Sequence, residues 1–74
     1  MWEAAKEICK RNPGKPLRVR TWDQPSQPYN IAKAINNGDR AEFKGNLESN
    51  EFTAVARKIE DEDVYAVWLT YNGE

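Results

Sequence analysis

Apolar and β-branched residues are densest near the end of the chain, in the run Val64-Tyr65-Ala66-Val67-Trp68-Leu69-Thr70-Tyr71. Apolar side chains occupy both alternating positions of this run, which indicates a strand that is covered on both faces and lies inside a sheet. Residues 52–59 form a second strand-like run, and the acidic residues 60–63 separate the two. The pattern predicts a long β-hairpin over residues 52–59 and 64–72.

The loop length sets the pairing of this hairpin. A four-residue loop pairs Val55 with Trp68 and Ala54 with Leu69, whereas a three-residue loop would turn one strand's side chains to the opposite face. With the longer loop, one face suits a packed core, and it carries Phe52, Ala54, Ala56, Val67, Leu69 and Tyr71. The second face carries Thr53, Val55, Arg57, Ile59, Val64, Ala66, Trp68 and Thr70.

Two earlier segments show the three- and four-residue spacing of amphipathic helices. Residues 2–12 place Trp2, Ala5, either Ile8 or Cys9, and Asn12 on one side, and the sequence Asn12-Pro13-Gly14 ends that helix. Residues 26–37 form a second helix, with Ser26 as a plausible N-cap and Gly38 suited to the left-handed conformation at its end.

Residues 17–22, between two prolines, alternate as a short strand. We expect Leu17, Val19 and Thr21 to face the core, and Arg18, Arg20 and Trp22 to face solvent. A further brief strand is predicted within residues 39–44, around Phe43. Together these elements predict one α+β domain over residues 1–74, with two helices packed on one face of a three- to four-stranded, mainly antiparallel sheet.

The second face of the hairpin is too apolar for an ordinary solvent-facing surface, yet two short helices can hardly cover both sides of a sheet. We therefore expect part of that face to be free for a partner. The candidate interaction surface mixes arginine and tryptophan, the residues most enriched at binding hot spots, and consists of Arg18, Arg20, Trp22, Arg57 and Trp68. The alternative is an amphipathic sheet face with half-buried indoles and arginine stems lying along it.

The charge balance changes this picture in one respect. The chain has 11 basic and 12 acidic residues, a formal net charge of −1, which argues against a dedicated non-specific nucleic-acid binder. A local patch of Arg18, Arg20 and Arg57 with nearby lysines still permits nucleic-acid binding as the alternative to a protein partner. We expect a monomer or weak homodimer with no membrane-spanning segment.

Catalytic and metal chemistry find little support in the composition. The chain has no histidine, and its single cysteine, Cys9, lies on the apolar side of a predicted helix and suits a small buried hydrophobe. The run Glu60-Asp61-Glu62-Asp63 lacks the ligand spacing and glycine of a calcium loop and is typical of a solvated turn. We therefore expect no enzyme activity, cofactor or metal, and the lone thiol favours a cytoplasmic protein.

DNA-binding winged helices need two helices between the first strand and the hairpin, and the sequence predicts one.

The order of several short motifs resembles a group of small uncharacterised proteins of actinobacterial genomes and their phages. These motifs are Trp2, Asn12-Pro13-Gly14, Ala32-x-x-Ile35-x-x-Gly38, Glu51-Phe52-x-Ala54-x-x-Arg57 and Val64-Tyr65-x-x-Trp68. That resemblance implies an accessory role for a phage or mobile element, in contact with a host protein or DNA.

Overall fold

The structure is a computed structural model that describes residues 1–73. Its elements, in chain order, are α1 (Trp2–Arg11), β1 (Leu17–Trp22), α2 (Ser26–Asn37), a 3₁₀ turn (Ala41–Phe43), α3 (Asn46–Ser49), β2 (Phe52–Ile59) and β3 (Val64–Tyr71). The predicted α+β class is confirmed, with helices against a three-stranded antiparallel sheet. Helix α2 starts at Ser26 itself, with Pro25 at the N-cap, so the prediction of Ser26 as the cap is wrong.

Strand β3 lies in the middle of the sheet, which has the order β1-β3-β2. The interior position predicted from its two apolar faces is confirmed, but the helices cover only one of those faces. The hairpin has the predicted four-residue loop, and Val55 lies opposite Trp68 while Ala54 lies opposite Leu69. The turn closes when the backbone N–H groups of residues 62 and 63 donate to the carbonyl oxygen of Ile59, at 3.2 and 2.9 Å.

The helices pack together on one face of the sheet, and their buried side chains share one core with that face. This core contains Trp2, Ala5, Cys9, Trp22, Ala32, Ile35, Phe43, Phe52, Ala54, Val67 and Leu69. The buried side of α1 carries Trp2, Ala5 and Cys9, so Cys9 rather than Ile8 continues the apolar side, and Asn12 is exposed. None of the helices within residues 1–73 has the length and apolar composition needed to span a bilayer.

The segment between α2 and β2 is helical, so the predicted strand within residues 39–44 is wrong. Gly38 ends α2 with φ of +73°, and the chain then forms the 3₁₀ turn and the single-turn helix α3. Phe43 is 3% exposed because its ring packs edge-on against Trp2 and Phe52, with ring centres 6.1 and 5.4 Å away. One isolated aromatic residue is buried just as well by a turn as by a strand, and the sequence pattern alone does not distinguish them.

Two asparagine side chains cover the outer edge of β2, the edge that does not face β3. The amide of Asn36 donates to the carbonyl oxygen of Ala54 and accepts from its N–H, at 2.9 and 2.8 Å. The amide of Asn46 makes the same pair of bonds with Phe52, at 3.0 and 2.9 Å. Asn46 is 3% exposed and also donates to the carbonyl oxygen of Ile35 at 2.8 Å. These amides take the place of a neighbouring strand along the first half of β2.

Candidate interaction surface

The side of the sheet that faces away from the helices is called the open face. The strand register places on it the side chains of Arg18, Thr21, Thr53, Val55, Arg57, Ile59, Val64, Ala66, Trp68 and Thr70. Trp68 lies near its centre, on the middle strand, with Arg18 opposite on one side and Val55 opposite on the other. Both Trp68 and Val55 remain partly exposed, although they are apolar residues of adjacent strands.

A depression of about 520 Å³ occupies the open face around Trp68. Its lining consists of Pro16, Val55, Arg57, Trp68 and Thr70. The volume falls within the range of about 300–1,000 Å³ that is usual for ligand sites, although this depression is open and shallow rather than enclosed. Such a shape fits a protruding side chain of a partner, because a flat indole and a valine supply the floor.

Strand β1 contains a β-bulge, which changes the side of the sheet that its second half faces. Arg20 lies opposite Val67, and Val19 is the extra residue with no partner of its own on β3. An extra residue reverses the alternation of side chains for the rest of the strand. As a result Thr21, rather than Arg20, lies opposite Ala66 on the open face and is exposed, so the prediction that Thr21 faces the core is wrong.

Trp22 is the residue that the bulge moves furthest from its predicted place. It lies opposite Tyr65 on the helix-covered side, belongs to the core and is 8% exposed. Arg20 is solvent-exposed but lies on that same side, with its guanidinium carbon 5.3 Å from the centre of the Trp22 ring. The predictions that Trp22 faces solvent and that Arg20 and Trp22 share a face with Trp68 are therefore wrong.

Three of the five predicted site residues are brought together, namely Arg18, Arg57 and Trp68. The sequence reasoning missed Pro16 and did not single out Val55 and Thr70, which complete the lining of the depression. Val55 and Thr70 alternate with known open-face positions, so the hairpin register was a sufficient signal for them. Pro16 lies outside the strands, and nothing in the local sequence indicates that it reaches the open face.

Charged side chains on and near the open face differ in whether they have partners. Arg18 forms an exposed ion pair with Glu62, at 3.4 Å. Lys58, on the helix-covered side near the turn, lies 3.4 Å from Asp63 and 4.0 Å from Glu60, and these carboxylates raise its pKa. Within residues 1–73 Arg57 makes no ion pair, so its positive charge at the depression is not compensated by a neighbouring acid.

Cys9 is placed where nucleophilic chemistry is suppressed. It is 1% exposed, and its Sγ–H donates to the carbonyl oxygen of Leu69 at 3.3 Å. Burial raises the pKa of the thiol, which keeps it protonated at neutral pH.

A second, smaller depression of about 220 Å³ lies beside Cys9, between the end of α1 and the start of β1. Among residues 1–73 no three His, Cys, Asp or Glu side chains are grouped to hold a metal ion.

Helix α3 lies where a winged helix carries its recognition helix, since it falls between α2 and the hairpin. The prediction of a single helix between β1 and the hairpin is thus incomplete. At four residues, α3 forms one turn of about 6 Å, too short to present a row of side chains along a DNA groove. The structure therefore offers the open face, not α3, as the candidate surface.

Comparison of the chain with protein-family models, with curated proteins and with solved structures finds no match. Any function assigned to this chain therefore depends on the geometry of the open face.

Proposed function

We propose that this protein is a non-enzymatic protein-interaction module that binds its partner through the open face. The observation that carries the proposal is the partly exposed indole of Trp68, which lies beside Val55 over a depression on the side of the sheet away from the helices. Tryptophan and arginine are the residues that most often dominate binding energy at protein interfaces. The open face presents Trp68 together with Arg18 and Arg57, which supports a protein partner.

The chemistry of the depression supports a binding role over a catalytic one. Of its five lining residues, Arg57 alone carries a charge, and its guanidinium has hydrogen-bond donors but no acceptor. It can hold an anion but cannot exchange protons with a substrate as a general acid or base. The only thiol of the chain, that of Cys9, is buried on the opposite side of the sheet.

Two finer parts of the proposal have other support. A cytoplasmic location is supported by the single unpaired cysteine of the chain. An accessory role for a phage or mobile element is supported by the sequence resemblance alone.

A displayed random-peptide library tests the proposal. We expect selection on the wild-type protein to enrich peptides that shift the NMR resonances of the open face. Their affinity should fall at least about thirtyfold in Trp68→Ala, because truncation of a hot-spot residue costs about 2 kcal/mol or more. Circular dichroism verifies that the variant is folded. The matched control is Ile8→Ala, which removes an apolar side chain that is 44% exposed on α1, away from the open face.

The proposal is contradicted if no peptide is enriched. It is equally contradicted if the enriched peptides bind folded Trp68→Ala as tightly as wild type, or if they lose affinity in Ile8→Ala instead.

A further inference from the structure

Arg57 gives the open face a specific chemical preference. Its side chain lines the depression, is exposed to solvent and forms no ion pair within residues 1–73. Arg18, the other cation of this face, already has Glu62 at 3.4 Å. An arginine with its donors free binds a carboxylate through two parallel hydrogen bonds, which are stronger than bonds between neutral groups. The positive charge of Arg57, which forms no ion pair within residues 1–73, therefore favours an acidic group on the partner.

The rest of the depression favours an apolar group next to that acid. Pro16, Val55 and Trp68 supply apolar surface, and Thr70 supplies a single hydroxyl. Arg57 lies two residues from Val55 on the same strand, so the cation and the apolar floor are adjacent. A single short segment can reach both, with one side chain over the indole and a neighbouring one at the guanidinium.

The edges of the sheet favour docking on the face over addition of a strand. Side-chain amides from Asn36 and Asn46 already occupy the outward backbone groups of Ala54 and Phe52 on β2. The opposite edge strand, β1, is interrupted by its bulge and preceded by Pro16, and both features hinder pairing with another strand. A partner that extends the sheet would therefore find few free backbone groups.

Charge also disfavours a second copy of this chain and a nucleic acid. A two-fold face-to-face dimer would bring the arginines of both open faces together, and none of the ten residues that define this face is an acid that could compensate them. Nucleic-acid affinity comes chiefly from many phosphate contacts, whereas Arg57 is the only unpaired cation among those same residues.

We infer that the partner of the open face is an acidic peptide segment, which places an apolar side chain against Trp68 and Val55 and an adjacent carboxylate against Arg57. This inference rests on the proposed function and adds the chemical class of the partner.

The test uses NMR titration of the full chain with short peptides that are blocked at both ends. The peptides are identical except that the residues flanking a central leucine are Glu, Gln or Lys. We expect the Glu peptide to shift the resonances of Val55, Arg57 and the Trp68 indole, and to bind about tenfold or more tightly than the Gln peptide. Charge reversal in Arg57→Glu should abolish that preference and favour the Lys peptide. Arg20→Glu is the matched control, because Arg20 is exposed on the other side of the sheet.

The outcomes separate this inference from the proposed function. If the Gln or Lys peptide binds the open face as tightly as the Glu peptide, or if Arg57→Glu leaves the preference unchanged, the acidic class is wrong while the binding surface stands. If neither these peptides nor the library-selected ones shift open-face resonances, both proposals fail. Shifts caused by a single-stranded thymidine oligonucleotide and by none of the peptides would overturn both in favour of a nucleic-acid partner.

Discussion

Two tryptophans on adjacent strands, Trp22 at the end of β1 and Trp68 in the middle of β3, have opposite surroundings in this protein. Trp22 is a core residue at 8% exposure, whereas Trp68 is partly exposed at the centre of the open face. Trp22 has Arg20 and Asp23 close by in the sequence, whereas the nearest neighbours of Trp68 are apolar, so the sequence neighbours suggest the opposite assignment. The distinction comes from the bulge at Val19, which turns Trp22 beneath the helices.

The different surroundings predict different effects on stability. Trp22→Ala should lower the free energy of unfolding by about 3–5 kcal/mol, because it removes a large buried side chain. Trp68→Ala should lower it by about 2 kcal/mol or less, because each of its two cross-strand pairs contributes at most about 1 kcal/mol. Chemical denaturation measures both values. If Trp22→Ala does not fold, the Trp22→Phe and Trp68→Phe pair should show the same order. Equal losses at the two positions would contradict the assignment of Trp68 to the open face.

At the scale of elements, the edge of β2 shows how helices and sheet are tied together by polar groups as well as by apolar packing. Asn36 comes from the end of α2 and Asn46 from the start of α3. Each forms two hydrogen bonds to one residue of β2, with donor–acceptor distances between 2.8 and 3.0 Å. Helices α2 and α3 are thereby fixed to the strand, and half of its free edge is withdrawn from pairing with another chain.

Loss of these amides should expose the edge of β2 in a way that hydrogen exchange detects. In Asn36→Ala, the Ala54 N–H loses its acceptor, so its exchange rate should rise toward that of Ala56, the next outward residue. Asn46→Ala should lower the free energy of unfolding by about 1–3 kcal/mol, because it leaves buried backbone groups unsatisfied. Asn30→Ala, an exposed asparagine on α2, controls for the gain in helix propensity. Unchanged exchange at Ala54 in Asn36→Ala would rule out the edge-capping role.

Across the whole molecule, charge is balanced in total but not in distribution. The formal net charge is −1, and the cations near the hairpin turn are matched by the acids of residues 60–63. The unpaired Arg57 remains at the depression, next to apolar surface. A molecule with principal extents of 33 × 24 × 17 Å thus presents one small cationic and apolar site rather than a basic face.

This distribution predicts weak binding of nucleic acid. Mixed-sequence single-stranded DNA at about physiological salt should cause no significant resonance shifts, because few phosphates can be neutralised at once. NMR titration at low and at physiological salt provides the measurement. Saturable shifts around Arg18 and Arg57 that weaken steeply as salt rises would instead support the nucleic-acid alternative. A variant with Glu62→Gln, which frees Arg18, is expected to bind DNA slightly more tightly than wild type at low salt.

The sequence by itself determined the parts of this protein that depend on local periodicity. Apolar residues that recur every three or four positions predict the two longer helices. Apolar residues in adjacent and alternating positions predict the hairpin, its loop and register, and the central place of β3. Those spacings decide which side chains can be buried together, and burial of apolar surface is the main driving force for folding. The open face was predictable for the same reason, because it is the second face of the hairpin.

Only the tertiary structure decided which residues complete that face. The bulge in β1 reverses the direction of Trp22, and it is visible only in the pairing of β1 with β3. Pro16 joins the depression, Asn36 reaches Ala54 and Phe43 reaches Trp2 across long separations in the chain. Local periodicity does not predict such contacts, because they form only when separate elements pack together.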